Sequence, residues 1–241
     1  MAERRNWTEQ EVRAALGLYL ITPFGRIHKA NPAIVELAGR IGRTPSAVAL
    51  KMSNLAAIDE SLPRKGMANA SALDRRIWAE FQVAPEHVLA ACDMTYSQVE
   101  APFDGVHLRE GMDRKTTTTA RVGQSYFREM ILASYGAKCA LTGVEEPKLL
   151  MASHIVSWAE DASQRLNPRN GILLNALHDK AFDRHLITFD ERYDMIVSDR
   201  LPPQARARLG GVTRLEMPQR FLPDQDLLER HRAAFCDAKT G

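Results

Sequence analysis

Three segments between positions 149 and 183 constrain this chain more than any other feature. Leu149 to Ile155 is a strand-like apolar run with His154 near its end. Residues 157–170 lack periodicity and read as an irregular loop closing on Asn170-Gly171. Ile172 to Phe182 reads as a helix, opened by Asn170-Gly171 and carrying His178, Asp179 and, just past its end, Asp183. Residues four apart share a helix face, so Asp179 and Asp183 lie together. Upstream, Cys139 to Thr142 is strand-like and Gly143 turns the chain. Strand, turn, strand, loop and helix then follow in order, with a histidine, an asparagine and two carboxylates at the junctions.

The rest of the chain reads as helices with one hairpin. Trp7-Thr8-Glu9-Gln10-Glu11 is a start signal, with Thr8 as N-cap and Glu11 completing a capping box. Val12, Leu16, Tyr19 and Leu20 follow at helical spacing until Pro23. A second helix begins near Pro32, with Ile34, Leu37, Ala38 and Ile41 on its apolar face, and ends at Gly42. Thr44-Pro45 opens a third, with Val48, Met52 and Leu55 on one face. Asn69-Ala70-Ser71 offers caps for a further helix with Leu73, Ile77 and Phe81 at spacing four. Residues 99–120 read as a basic linker between domains at 1–98 and 121–241. Phe127, Ile131 and Tyr135 mark a helix ending at Gly136. Leu186–Phe189 and Asp194–Ser198 read as a hairpin, and Leu227–Phe235 as a closing helix. The expected class is α+β, a helical N-terminal domain followed by a ββα module with flanking helices and a hairpin.

The strings Arg121-Val-Gly-Gln, Phe127-Arg128, Cys139-x-x-Thr142-Gly143, Ser153-His154-Ile155, Asn170-Gly171-Ile172 and His178-x-x-x-Phe182-Asp183 lie within a stretch from about 121 to 198, nearly 80 residues long. Together they resemble the HNH, or ββα-metal, endonucleases of restriction type. The resemblance implies a metal-dependent DNA endonuclease. Phosphodiester hydrolysis needs a water activated near neutral pH, and a histidine with a pKa near ~6.5 suits that task. His154 is the matching general base, and Asn170 the residue that tethers the loop around it. Asp179 and Asp183 match positions used for metal, with Mg2+ or Mn2+ expected. In many relatives a histidine stands nine residues after the asparagine. Here His178 falls at eight and Asp179 at nine, so His178 is a candidate for metal binding, phosphate contact or support of the fold. Ser153 stands where many relatives have a metal ligand before the base, which implies a cation held from the helix alone. Relatives often carry two Cys pairs around a zinc. This chain has only Cys139 there, so no structural zinc is expected, and Leu141, Ile155, Leu173, Leu174, Leu177 and Phe182 are expected to pack the module. His185 stays open because it lies near the site, while His28, His87, His107 and His231 fit no pattern.

Charge separates the possible partners. Residues 1–51 hold eight Lys or Arg against four Asp or Glu, and residues 111–138 hold five against two. Basic segments can track a phosphate backbone. The first three helices have a helix-turn-helix outline, and their Trp-Thr-Glu start loosely resembles a Myb/SANT-type unit. Arg43, Ser46 and Lys51 are its candidate DNA contacts. Arg114, Lys115, Arg121 and Arg128 are candidates along the linker and the helix after it. Double-stranded DNA is the expected partner, and a homodimer is expected for a double-strand break. The competing readings are a DNA-binding regulator with a decayed module and an interaction module whose charges are incidental. No apolar run approaches the ~20 residues of a membrane span. The start, Met1 to Asn6, has no apolar signal core, so a cytoplasmic location is expected. Cys92, Cys139 and Cys236 are few, odd in number and far apart, which reads as buried free thiols.

Overall fold

The computed structural model describes residues 5–62, 69–90, 114–209, 211 and 213–240, with backbone alone at 90, 114–122 and 237–240. The chain divides into two compact units, at residues 1–99 and 100–241. Among the described residues no helix is long and apolar enough to cross a membrane.

The first unit is helical: α1 (Glu9–Ile21), α2 (Pro32–Arg40), α3 (Pro45–Ile58), α4 (Ala72–Val83) and α5 (Pro85–Ala90). Local chemistry sets its boundaries. Thr8 and Glu11 form a reciprocal capping box on α1, and Thr44 caps α3 with Pro45 in its first turn. Gly42 takes the left-handed conformation (φ 64°) that turns the chain between α2 and α3. Val12, Leu16, Tyr19, Ile34, Leu37, Val48, Met52, Leu55, Ile77, Trp78 and Phe81 are buried. Tyr19 meets Trp78 edge-on at 6.1 Å between ring centres, and its hydroxyl donates to Asp59 at 2.6 Å.

The second unit holds α6 (Arg114–Ser134), an antiparallel pair β1 (Leu150–His154) and β2 (Gly171–Asn175), α7 (Ala176–Asp183), a hairpin β3 (Ile187–Phe189) and β4 (Met195–Val197), α8 (Pro203–Arg208) and α9 (Gln225–Thr240). The register of the first pair sets His154 opposite Gly171 and Ser153 opposite Ile172. The 155–170 segment connects these strands. Leu141, Ile155, Leu173, Leu174 and Phe182 are buried as expected, whereas Leu177 is 52% exposed on the outer face of α7.

Four expectations are corrected. Cys139–Thr142 is a tight turn, closed by Gly143 N–H donating to the Cys139 carbonyl at 2.9 Å, with Gly143 at φ 68°. Gly171–Asn175 is the second strand, and the helix begins only at Ala176, where the Asn175 side chain accepts from the Leu177 and His178 amides. The linker expected to reach 120 is helical from Arg114. Cys236 is exposed, though Cys139 is buried, and Cys92 lies outside the described residues.

Candidate active site

His154 ends β1 and is held on three sides. Its ring stacks on Phe127 of α6, with centroids 3.7 Å apart and planes 14° from parallel. Trp158 meets it edge-on at 5.6 Å. Its Nε2 lies 3.1 Å from the Arg165 carbonyl oxygen. A carbonyl only accepts, so Nε2 carries the hydrogen and a neutral ring keeps its lone pair on Nδ1. Burial pushes the ring's pKa down to about 4, against a smaller upward pull from the Arg165 carbonyl. The ring is therefore neutral, and able to take a proton, throughout the physiological range.

Asn170 is fully buried and staples the loop. Its Oδ1 accepts from the Val156 amide at 2.9 Å. Its Nδ2 donates to the carbonyls of Val156 and Gln164, both at 3.0 Å. Gln164 precedes Arg165, so the staple fixes the carbonyl that holds His154. Arg230 of α9 pins the same loop from outside, reaching Asp161 at 2.9 Å and Glu160 at 2.8 Å.

Asp179 and Asp183 project from α7 one turn apart. Ser153, next to His154 in sequence, donates its hydroxyl to Asp179 Oδ1 at 2.5 Å. Ser153 therefore orients a carboxylate instead of serving as a ligand. Partial burial raises the pKa of Asp179, with Ser153 and Lys180 acting in the opposite sense. Asp183 is raised by burial first and then by the charge of Asp179. Two carboxylates that repel each other, and that lack a cationic hydrogen-bond partner among the described residues, suit a hard divalent cation. Among the described residues no group of three or more His, Cys, Asp or Glu gathers at one point. Two protein ligands, with water or phosphate completing the shell, is what this donor set offers.

The other expected residues fare differently. His178 is only 2% exposed. Its Nδ1 lies 3.0 Å from Asn175 Oδ1 and its Nε2 2.7 Å from the Leu209 carbonyl, contacts that favour support of the fold among its three expected roles. Arg128 places its two terminal nitrogens on the carbonyls of Leu150 (2.6 Å) and Pro147 (2.8 Å), bracing α6 against the start of β1. Lys51 is 5% exposed and forms a buried ion pair with Asp74 at 2.7 Å. Arg43 binds Glu11 at 2.8 Å and the Arg5 and Asn6 carbonyls at 2.9 and 2.6 Å, which clips the N-terminal segment to the bundle. Each of these four expected site residues, His178, Arg43, Lys51 and Arg128, has a partner within its own unit. Ser46 is exposed on α3. The side chains of Arg114, Lys115 and Arg121 lie outside the described residues.

Sequence reasoning missed Trp158 and Arg165, on a loop without periodicity, and the contact of Phe127 with His154. The signal for Phe127 was present, since it belongs to the apolar stripe with Ile131. Residues 139–190, which hold the Cys139 turn, β1, β2, α7 and β3, match the family described as HNH endonuclease. The chain therefore carries an HNH endonuclease domain, a phosphodiester hydrolase module acting on nucleic acid and generally dependent on a divalent metal. No curated protein matches the sequence.

Proposed function

We propose that this chain is a DNA endonuclease in which His154 is the general base and Asp179 and Asp183 hold a Mg2+ or Mn2+ ion. The observation that carries it is the His154 ring, neutral, stacked on Phe127 and turned by the Arg165 carbonyl so that Nδ1 keeps its lone pair. Nδ1 takes a proton from a water as its oxygen bonds to phosphorus, the bond from phosphorus to the leaving oxygen breaks, and that oxygen is protonated from solvent. A bound divalent cation would neutralise phosphate and leaving-group charge. Asn170 acts as a positioning residue, since its three bonds keep the loop where the Arg165 carbonyl meets the ring. Ser153 positions Asp179.

The helical unit is proposed to bind duplex DNA, with exposed Ser46 at the start of α3 as a contact. One such site cuts one strand, so a double-strand break takes a dimer or two successive binding events. Restriction of foreign DNA in the cytoplasm fits this assembly. The test uses supercoiled plasmid, unmodified and methylated, with Mg2+ or Mn2+. Nicked or linear product that disappears with chelator, and in Asp179→Asn and Asp183→Asn, supports the proposal. Intact plasmid under all these conditions contradicts it.

A further inference from the structure

Arg165 is half-buried, unlike Arg184, Arg192 and Arg208 of the nuclease domain, which are exposed. Arg128, Arg169, Arg200, Arg206, Arg214, Arg230 and Arg232 each place side-chain nitrogens on carboxylates, carbonyls or, for Arg200, also a hydroxyl. Arg165 is half-buried, yet among the described residues no carboxylate pairs with it. Among the described residues its one side-chain bond runs from Nε to the Trp158 carbonyl at 2.9 Å. Its guanidinium carbon lies 5.4 Å from the centre of the Trp158 ring, and Trp158 in turn meets His154. One residue thus holds the general base with its carbonyl and sets its guanidinium against Trp158, the ring that meets that base. The two terminal nitrogens of that guanidinium lack a protein partner among the described residues.

A guanidinium presents a rigid fork matched to phosphate oxygens. A half-buried cation without an acid is an unfavourable arrangement unless an anion arrives to meet it. Stacking against Trp158 and the Nε bond remove much of the side chain's freedom, so little ordering remains when phosphate enters. Resting on the nuclease reading above, we propose that Arg165 is a catalytic residue whose terminal nitrogens grip the non-bridging oxygens of the scissile phosphate. Charge on those oxygens changes as the water–phosphorus bond forms and the leaving bond breaks, and preorganised donors favour that state. The proton still passes from water to His154 Nδ1, and Arg165 gains and loses none.

The test compares wild type, Arg165→Ala, Arg165→Lys and His154→Ala on supercoiled plasmid with Mg2+ or Mn2+, alongside duplex binding in Ca2+ and thermal melting. Arg165→Ala is expected to cut about 100-fold more slowly. Arg165→Lys is expected to fall between it and wild type, with duplex affinity little changed. Added guanidinium ion at millimolar concentration is expected to restore part of the Arg165→Ala rate and none of the His154→Ala rate. Wild-type cleavage by Arg165→Ala overturns the proposal, as does a slow variant that guanidinium does not rescue. A defect confined to duplex binding overturns it too. Failure of the nuclease reading is distinct, because wild type itself then leaves every plasmid intact.

Discussion

At the scale of single residues, the site depends on a histidine kept neutral by its surroundings. In the free enzyme the acid limb of the rate against pH is expected near 4, where the His154 pKa lies, and not near its ordinary 6.5. A profile of kcat/KM from pH 3.5 to 8 checks this, and a limb at 6.5 rejects a buried base. Asn170→Ala leaves the Val156 amide and the Val156 and Gln164 carbonyls without their partner. A loss of about 2–4 kcal/mol in denaturant unfolding is expected, with a larger loss of cleavage than of duplex binding. In the helical unit, Lys51→Met strands Asp74 as a fully buried charge. That change is expected to cost about 3–5 kcal/mol, read by thermal melting, whereas a phosphate-contacting lysine in its place would mainly weaken DNA binding. The protein partners of His178, Arg128 and Lys51 were hidden from the sequence by one cause. Each side chain's nature was plain in the sequence, but its partners (Leu209, Leu150 and Asp74) sit 22 to 31 residues away, and no spacing rule reaches them.

At the scale of elements, the close approach of α6 to β2 builds the site. A Cβ on Gly171 would lie 2.3 Å from Ile131 Cδ1 and 2.7 Å from Phe127 Cζ. Gly171 itself has an ordinary extended conformation (φ −130°), so space alone demands glycine here. Gly171→Ala is expected to destabilise by about 1–3 kcal/mol and to displace Phe127 from beneath His154. Reduced cleavage together with a lowered melting temperature checks this, and an unchanged melting temperature contradicts it. The helices of the first unit were legible because caps and periodicity agree there. Gly171–Asn175 was not, because its first four residues are buried and so lack alternation. A short run buried on both faces has the same apolar pattern as a buried helix segment. Asn175 was the usable signal, since its cap marks where α7 starts. The helical start at Arg114 was hidden for the opposite reason, as Thr116–Thr119 carries no apolar stripe.

At the scale of the whole molecule, the family match covers residues 139–190 alone, and the helical unit rests on its own physical reading. Two histidines, His154 and His231, link stability to pH. His154 and His231 both titrate at about 4 in the folded chain, His231 lowered by burial and then by His185. In the unfolded chain each takes a proton near 6.5. The unfolded state therefore binds the extra protons between pH 4 and 6.5, and stability is expected to fall as pH drops through that window. The loss is on the order of 2–3 kcal/mol for each ring, and melting curves at pH 7, 5.5 and 4.5 measure it. The most direct measurement of the central claim is plasmid cleavage with Mg2+ or Mn2+ by wild type and His154→Ala, both shown folded by melting. Wild type is expected to nick or linearise the plasmid, and His154→Ala to be slower by at least about 100-fold. Equal cleavage by the two proteins would contradict the assignment of His154 as the base.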